Sequence, residues 1–128
     1  MELVSPESHI PDDEPKVRVY DNYVVLNAAA VSLLGIDDGD YVQLWTSKHE
    51  KMNGKHFIYI GRTRRIFGYA VRQRAKTMRI NSRPLARRLM EVLDGCGCYR
   101  ICPEDTQVVD GEIRYNIFFK NYDKKDTD

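Results

Sequence analysis

Long apolar runs are missing from this chain. A membrane helix needs ~18 consecutive apolar residues, and nothing here approaches that, so no membrane span is expected. The opening MELVSPESHI is acidic and lacks an apolar core segment, so it does not read as a secretory signal. Cysteine is scarce and odd in number, at three, which argues against a disulfide framework. A reducing cytoplasm fits that usage. The histidines, His9, His49 and His56, lie far in sequence from Cys96, Cys98 and Cys102. A closed zinc site needs four ligands, so the cysteines are expected to be metal-free core or turn thiols. Glycine-rich phosphate loops, His-Glu metal motifs and nucleophile elbows do not occur. No catalytic residues, no cofactor and no enzyme activity are therefore expected.

Acid is absent where it matters most. From Gly61 to Arg88 the chain carries Arg62, Arg64, Arg65, Arg72, Arg74, Lys76, Arg79, Arg83, Arg87 and Arg88, and no Asp or Glu. The whole chain has 20 basic and 19 acidic residues, so half of its positive charge sits in this one stretch. A near-neutral total conceals a strongly uneven distribution. Concentrated Arg is what a phosphate backbone attracts, since each neutralised phosphate releases a condensed counterion. The planar guanidinium also matches phosphate and guanine edges. A solvated basic face, or one that docks an acidic protein, is the alternative.

At 128 residues the chain is long enough for one domain. Residues 1–15 hold three prolines and five acids and read as a flexible acidic arm, and residues 121–128 as a flexible tail. Between them, local signals repeat. Lys16–Tyr20 and Tyr23–Leu26 read as strands around the turn Asp21-Asn22. Asn27 is an N-cap, Ala28 to Leu34 a short helix and Gly35 its terminator. After Asp37 to Asp40 come strands over Tyr41–Thr46 and Phe57–Ile60, turned by Asn53-Gly54. The same order recurs: strands Ile66–Arg72 and Thr77–Ile80, a basic loop Gln73–Lys76, and a helix Ser82–Leu93 capped by Asn81 or Ser82 with Pro84 in its first turn. Tyr99–Cys102 and Glu112–Phe119 follow, with Asp110-Gly111 as hairpin turn. The expected fold is mainly β with two short helices, built from two β-β-α-β-β units, 16–61 and 62–120. In the second helix Leu85, Leu89, Val92 and Leu93 fall on one side, and Arg83, Arg87 and Arg88 on the other.

The stretch VRVYDNYVVLNAAAVSLLGIDDGDYVQL, with Leu34-Gly35-Ile36 and Gly39-Asp40, resembles the AbrB/MazE/SpoVT-type swapped-hairpin domain. The second half carries a weaker echo. The resemblance implies interleaved hairpins closing one small barrel, with the two copies of one chain forming a pseudo-dimer. It implies DNA contacts by Arg72, Lys76, Arg87 and Arg88 in the second copy, against Lys16 and Arg18 in the first. The resulting expectation is a DNA-binding, transcription-regulator-like protein, monomeric as a pseudo-dimer or homodimeric. Duplex DNA would be held by Arg72, Arg74, Lys76, Arg79, Arg83, Arg87 and Arg88. The rival is a protein-binding module, antitoxin-like or structural, whose basic face docks an acidic partner. That rival needs an apolar patch inside the basic rim.

Overall fold

The computed structural model describes residues 10–52 and 55–124. The expected turn Asn53-Gly54 lies outside these residues, as do Met1–His9 of the acidic arm and the last four residues of the tail.

Among the described residues nine strands and two α-helices follow one another: β1 (Lys16–Val19), β2 (Val24–Leu26), α1 (Ala28–Leu34), β3 (Tyr41–Met52), β4 (Lys55–Thr63), β5 (Tyr69–Ala70), β6 (Arg72–Arg74), β7 (Thr77–Ile80), α2 (Arg83–Val92), β8 (Gly97–Val109) and β9 (Glu112–Ile117). All pairings are antiparallel, in the order β5-β3-β4-β9-β8-β1-β2-β7-β6. The two ends of that order, β5 and β6, are separated in the chain by Val71 alone. Val71 exchanges backbone hydrogen bonds with Gly39 and Asp40, both at 2.9 Å. The sheet therefore curls into a nearly closed barrel, which leaves little open edge for other chains to pair with.

Strict alternation explains which face is inside. In β1, β2 and β7 every second residue is buried: Val17, Val19, Val24, Leu26, Met78 and Ile80. They meet Ile58, Ile60, Tyr99, Ile101 and Ile117 from the other strands, and Leu85, Ala86 and Leu89 from α2. The helix ends have local causes. Asn27 Oδ1 accepts from the Ala30 amide at the start of α1, and Gly35 closes it at φ 64. Ser82, and not Asn81, caps α2 by accepting from Leu85 N. Asp110 and Gly111 both take positive φ at the β8–β9 turn.

Three segments depart from expectation. Ile66–Phe67 does not begin a strand; Arg65–Phe67 is a single 3-10 turn. Tertiary contacts override its β propensity. The Gln43 side chain donates to the Phe67 carbonyl, and Gly68 lies so close to its neighbours that a Cβ there would be 2.5 Å from Thr63 Cγ2. Residues 10–15 pack against the barrel: Ile10 is buried and the Pro15 carbonyl accepts from Ile101 N. At the other terminus, buried Asn121 donates to the Asp94 and Cys96 carbonyls, fastening the turn before β8. That side chain occupies the space a Cβ on Gly97 would fill.

Candidate nucleic-acid interface

Residues directly opposite one another on paired strands point to the same face of a sheet. Arg18 lies opposite Val25, Val25 opposite Arg79, and Arg79 opposite Arg72. One row across four strands thus carries Arg18, Arg79 and Arg72 on the outer face, with Cys98 of β8 opposite Arg18 at its far end. At ~4.8 Å between strands, the arginines span about 14 Å. Their alternate neighbours point into the core, which explains why this face could become so basic without disturbing the packing.

Beside this row stands an aromatic stack. The Tyr20 and Tyr23 rings are stacked 4.5 Å apart with 20° between planes. The Arg79 guanidinium lies 3.6 Å over the Tyr23 ring. Strand order places Tyr23 between Tyr20 on the β1 side and Arg79 on the β7 side. Arg79 Nε also donates to Asn81 Oδ1 at 2.6 Å. Both contacts restrain the guanidinium, and such a cation–π contact is worth about 0.5–1 kcal/mol at an exposed site.

The expected basic residues do not form one cluster. Arg72 and Arg79 share the central row. Arg74 and Lys76 sit at the β6–β7 turn, where Ala75 takes φ 53. Antiparallel pairing of β2 with β7 puts that turn at the end opposite the Asp21-Asn22 turn. Arg83, Arg87 and Arg88 are exposed on α2, while Leu85, Ala86, Leu89 and Val92 are buried. Arg87 reaches Asp21 at 3.5 Å, which ties α2 to the β1–β2 turn. Arg88 pairs with Glu91 at 3.3 Å. The acid-free stretch is therefore met by acids from elsewhere. Arg72, Arg74, Lys76 and Arg83 have no ion pair among the described residues.

Arg18 lies outside the acid-free stretch, and only the family resemblance names it, with Lys16, as a DNA contact of the first copy. Its alternation in KVRV gave the face, but the strand pairing that sets it beside Arg79 and Arg72 is long-range. Arg18 donates to the Asp123 carboxylate, close to the C-terminal end of the chain. Burial is the largest influence and opposes its charge, but the bond to Asp123 together with the fields of Cys98, Asp123 and Tyr20 outweighs it, and the guanidinium is held above its ordinary basicity. At the β8 end of the row, burial pushes the Cys98 thiol up, against the pull of Arg18 and Lys16. Burial raises Cys102 likewise, partly offset by Arg100. Both are therefore poorly nucleophilic, whereas Cys96 is exposed. Among the described residues, no three His, Cys, Asp or Glu side chains converge as a metal site requires. Also among them, no helix is long and apolar enough to cross a membrane. Compared with protein-family models, curated proteins and solved structures, the chain matches none.

Proposed function

We propose that the protein binds duplex DNA through the outer face of β1, β2, β6 and β7, as a cytoplasmic regulator-like binding module and not as an enzyme. The observation that carries this reading is the row Arg18, Arg79 and Arg72, with Arg74 and Lys76 at the β6–β7 turn and Arg83 on α2; of these only Arg18, through Asp123, forms an ion pair among the described residues. A convex face that carries three Arg along about 14 Å of curved sheet can enter a major groove about 12 Å wide and meet its walls. Arg without acid partners loses little by turning to phosphate, whereas Arg18, Arg87 and Arg88 must first leave Asp123, Asp21 and Glu91. The face that docks an acidic protein would need apolar surface within its rim. Of the exposed large apolar side chains among the described residues, Tyr20 alone belongs to this face.

The same reading includes the AbrB-type resemblance and an internal duplication. Hydrogen-bond register supports the duplication. One sequence shift carries the pair Arg18 and Val25 onto the pair Arg72 and Arg79, and both pairs are opposed in the sheet. The β2–β7 pairing is centred on Val25 and Arg79, which that same shift relates. It also carries Lys16 onto Ala70. Lys16 lies opposite Arg100 of β8, and Ala70 opposite Tyr41 of β3. Tyr41 and Arg100 are then equivalent once the second unit is allowed a longer helix, and α2 is longer than α1. Each half's first strand thus pairs with the other half's third, the exchange expected of swapped hairpins.

The test is a mobility-shift titration on random duplex DNA across salt concentrations. With about five phosphates neutralised, log K against log[salt] should have a slope near −4 to −5. Absence of binding at low salt would rule the reading out.

A further inference from the structure

A second surface stands apart from the arginine row. Of the five exposed large apolar side chains among the described residues, four come from two neighbouring projections: Ile66 at 78% and Phe67 at 58% exposure from the 3-10 turn, and Val108 at 68% and Ile113 at 48% from the β8–β9 hairpin. Ile66 and Phe67 project from the 3-10 turn. Val108 and Ile113 lie opposite one another on the β8–β9 hairpin. The turn and the hairpin form two walls of a groove of about 690 Å³ floored by Trp45, over whose ring Arg114 lies at 3.6 Å. A second groove, of about 620 Å³, runs along the other side of the hairpin and is lined by Ile113. The hairpin is thus a ridge between two grooves. Singly exposed apolar residues are ordinary, but two exposed apolar pairs on neighbouring projections are the kind of surface that association covers.

Charge divides the same way. Residues 61–68 contain three Arg and no acid, and residues 103–113 contain four acids and no Lys or Arg. Arg64 lines the groove across from Asp110 and Glu112, yet none of the three, nor Arg65, forms an ion pair among the described residues. The basic wall is held in place by the Gln43 bond to the Phe67 carbonyl and by the tight seat of Gly68. One molecule therefore displays a rigid basic, apolar wall and an acidic, apolar ridge whose charges are not satisfied by each other.

We propose that this surface is a two-fold interface between two copies of the chain. The ridge of each copy seats in the groove of the other, setting Asp110 and Glu112 against Arg64 and Arg65 and covering Ile66, Phe67, Val108 and Ile113. A two-fold interface requires one patch to hold both complementary halves, and this patch does. The grooves are lined by none of the residues of the arginine row, so the proposal stands whether or not the protein binds DNA.

Sedimentation velocity of the full chain tests it. The wild type should sediment as a dimer at micromolar concentration, and Phe67→Asp as a monomer. Arg64→Glu with Arg65→Glu in one chain sets acid against acid, and that variant should be monomeric. Asp110→Lys with Glu112→Lys should be monomeric by itself for the converse reason. An equimolar mixture of the two charge-reversed chains should recover the dimer, because each wall then meets its opposite again. That recovery also shows that both chains remain folded. A wild type that stays monomeric across the concentration range, reversed chains that still dimerise alone, or a mixture that fails to pair would overturn the proposal.

Discussion

The arginine row and the ridge-and-groove end are built by opposite means. The row carries its arginines mainly on strands β1 and β7, whose other face is core, so its charge hardly disturbs the packing. The end consists of apolar residues placed in water by a turn that long-range contacts hold, for Ile66 and Phe67, and by a projecting hairpin, for Val108 and Ile113. A charged face needs only alternation. An exposed apolar face needs a device that stops its side chains from folding inward. Gly68 and Gln43 supply that device here, and the strands beneath the row need none.

Damage to the shared core should affect both surfaces, and damage to one support only one. Leu89 is buried under α2, and Leu89→Ala should cost about 2–5 kcal/mol, read as a lower denaturant midpoint. Salt-dependent DNA binding and dimerisation should then weaken together. Gly61 separates them. A Cβ there would lie 2.6 Å from the Ile113 carbonyl oxygen, so Gly61→Ala should push β9 from β4 and cost about 1–3 kcal/mol. Dimerisation should fall while the DNA salt slope is retained. Equal loss of both activities would show that the two surfaces are not independent.

Much of this architecture is legible in local sequence. The alternation in KVRV and TMRI gives the buried faces of β1 and β7, and Asn27, Gly35 and Asp110-Gly111 mark their cap, stop and turn. The exposed phase of Arg83, Arg87 and Arg88 follows from helical spacing alone. The rest depends on contacts remote in sequence. Ile66 and Phe67 carry β propensity, and only the packing of Gly68 on Thr63 and Tyr41 turns them into an exposed corner. Arg18 joins Arg72 from the far half of the chain, through register that no local pattern specifies. Asp21 pairs with Arg87 from an equally remote position, so the acid-free stretch overstates the free charge of the folded face.

That last point divides the basic residues into free and occupied groups. Replacing Arg72 and Arg74 by Ala should reduce the salt slope by about two units, one for each phosphate no longer neutralised. Both are exposed on β6, so stability should change by only about half a kcal/mol. Equal slopes for this variant and the wild type would remove β6 from the DNA-binding face. The dimer should be unaffected.

The smallest effect sharpens the division most. Asp21 holds Arg87 at 3.5 Å, and both side chains are at least half exposed. Exposed ion pairs contribute about 0–1 kcal/mol, so Asp21→Asn should barely alter folding. It removes one negative charge from the edge of the proposed DNA face and frees one guanidinium. DNA affinity should therefore rise at low salt, by up to about fivefold if the pair contributes the upper limit of about 1 kcal/mol. The gain should fade as salt rises, because screening weakens an exposed charge beyond a Debye length of about 10 Å at 0.1 M. If Arg87 then contacts phosphate, the salt slope should steepen by nearly one unit. A rise in affinity without a steeper slope would mean that Asp21 acted by repulsion alone and that Arg87 does not touch DNA. No change in either would place the β1–β2 turn outside the interface and confine DNA to the β6–β7 end.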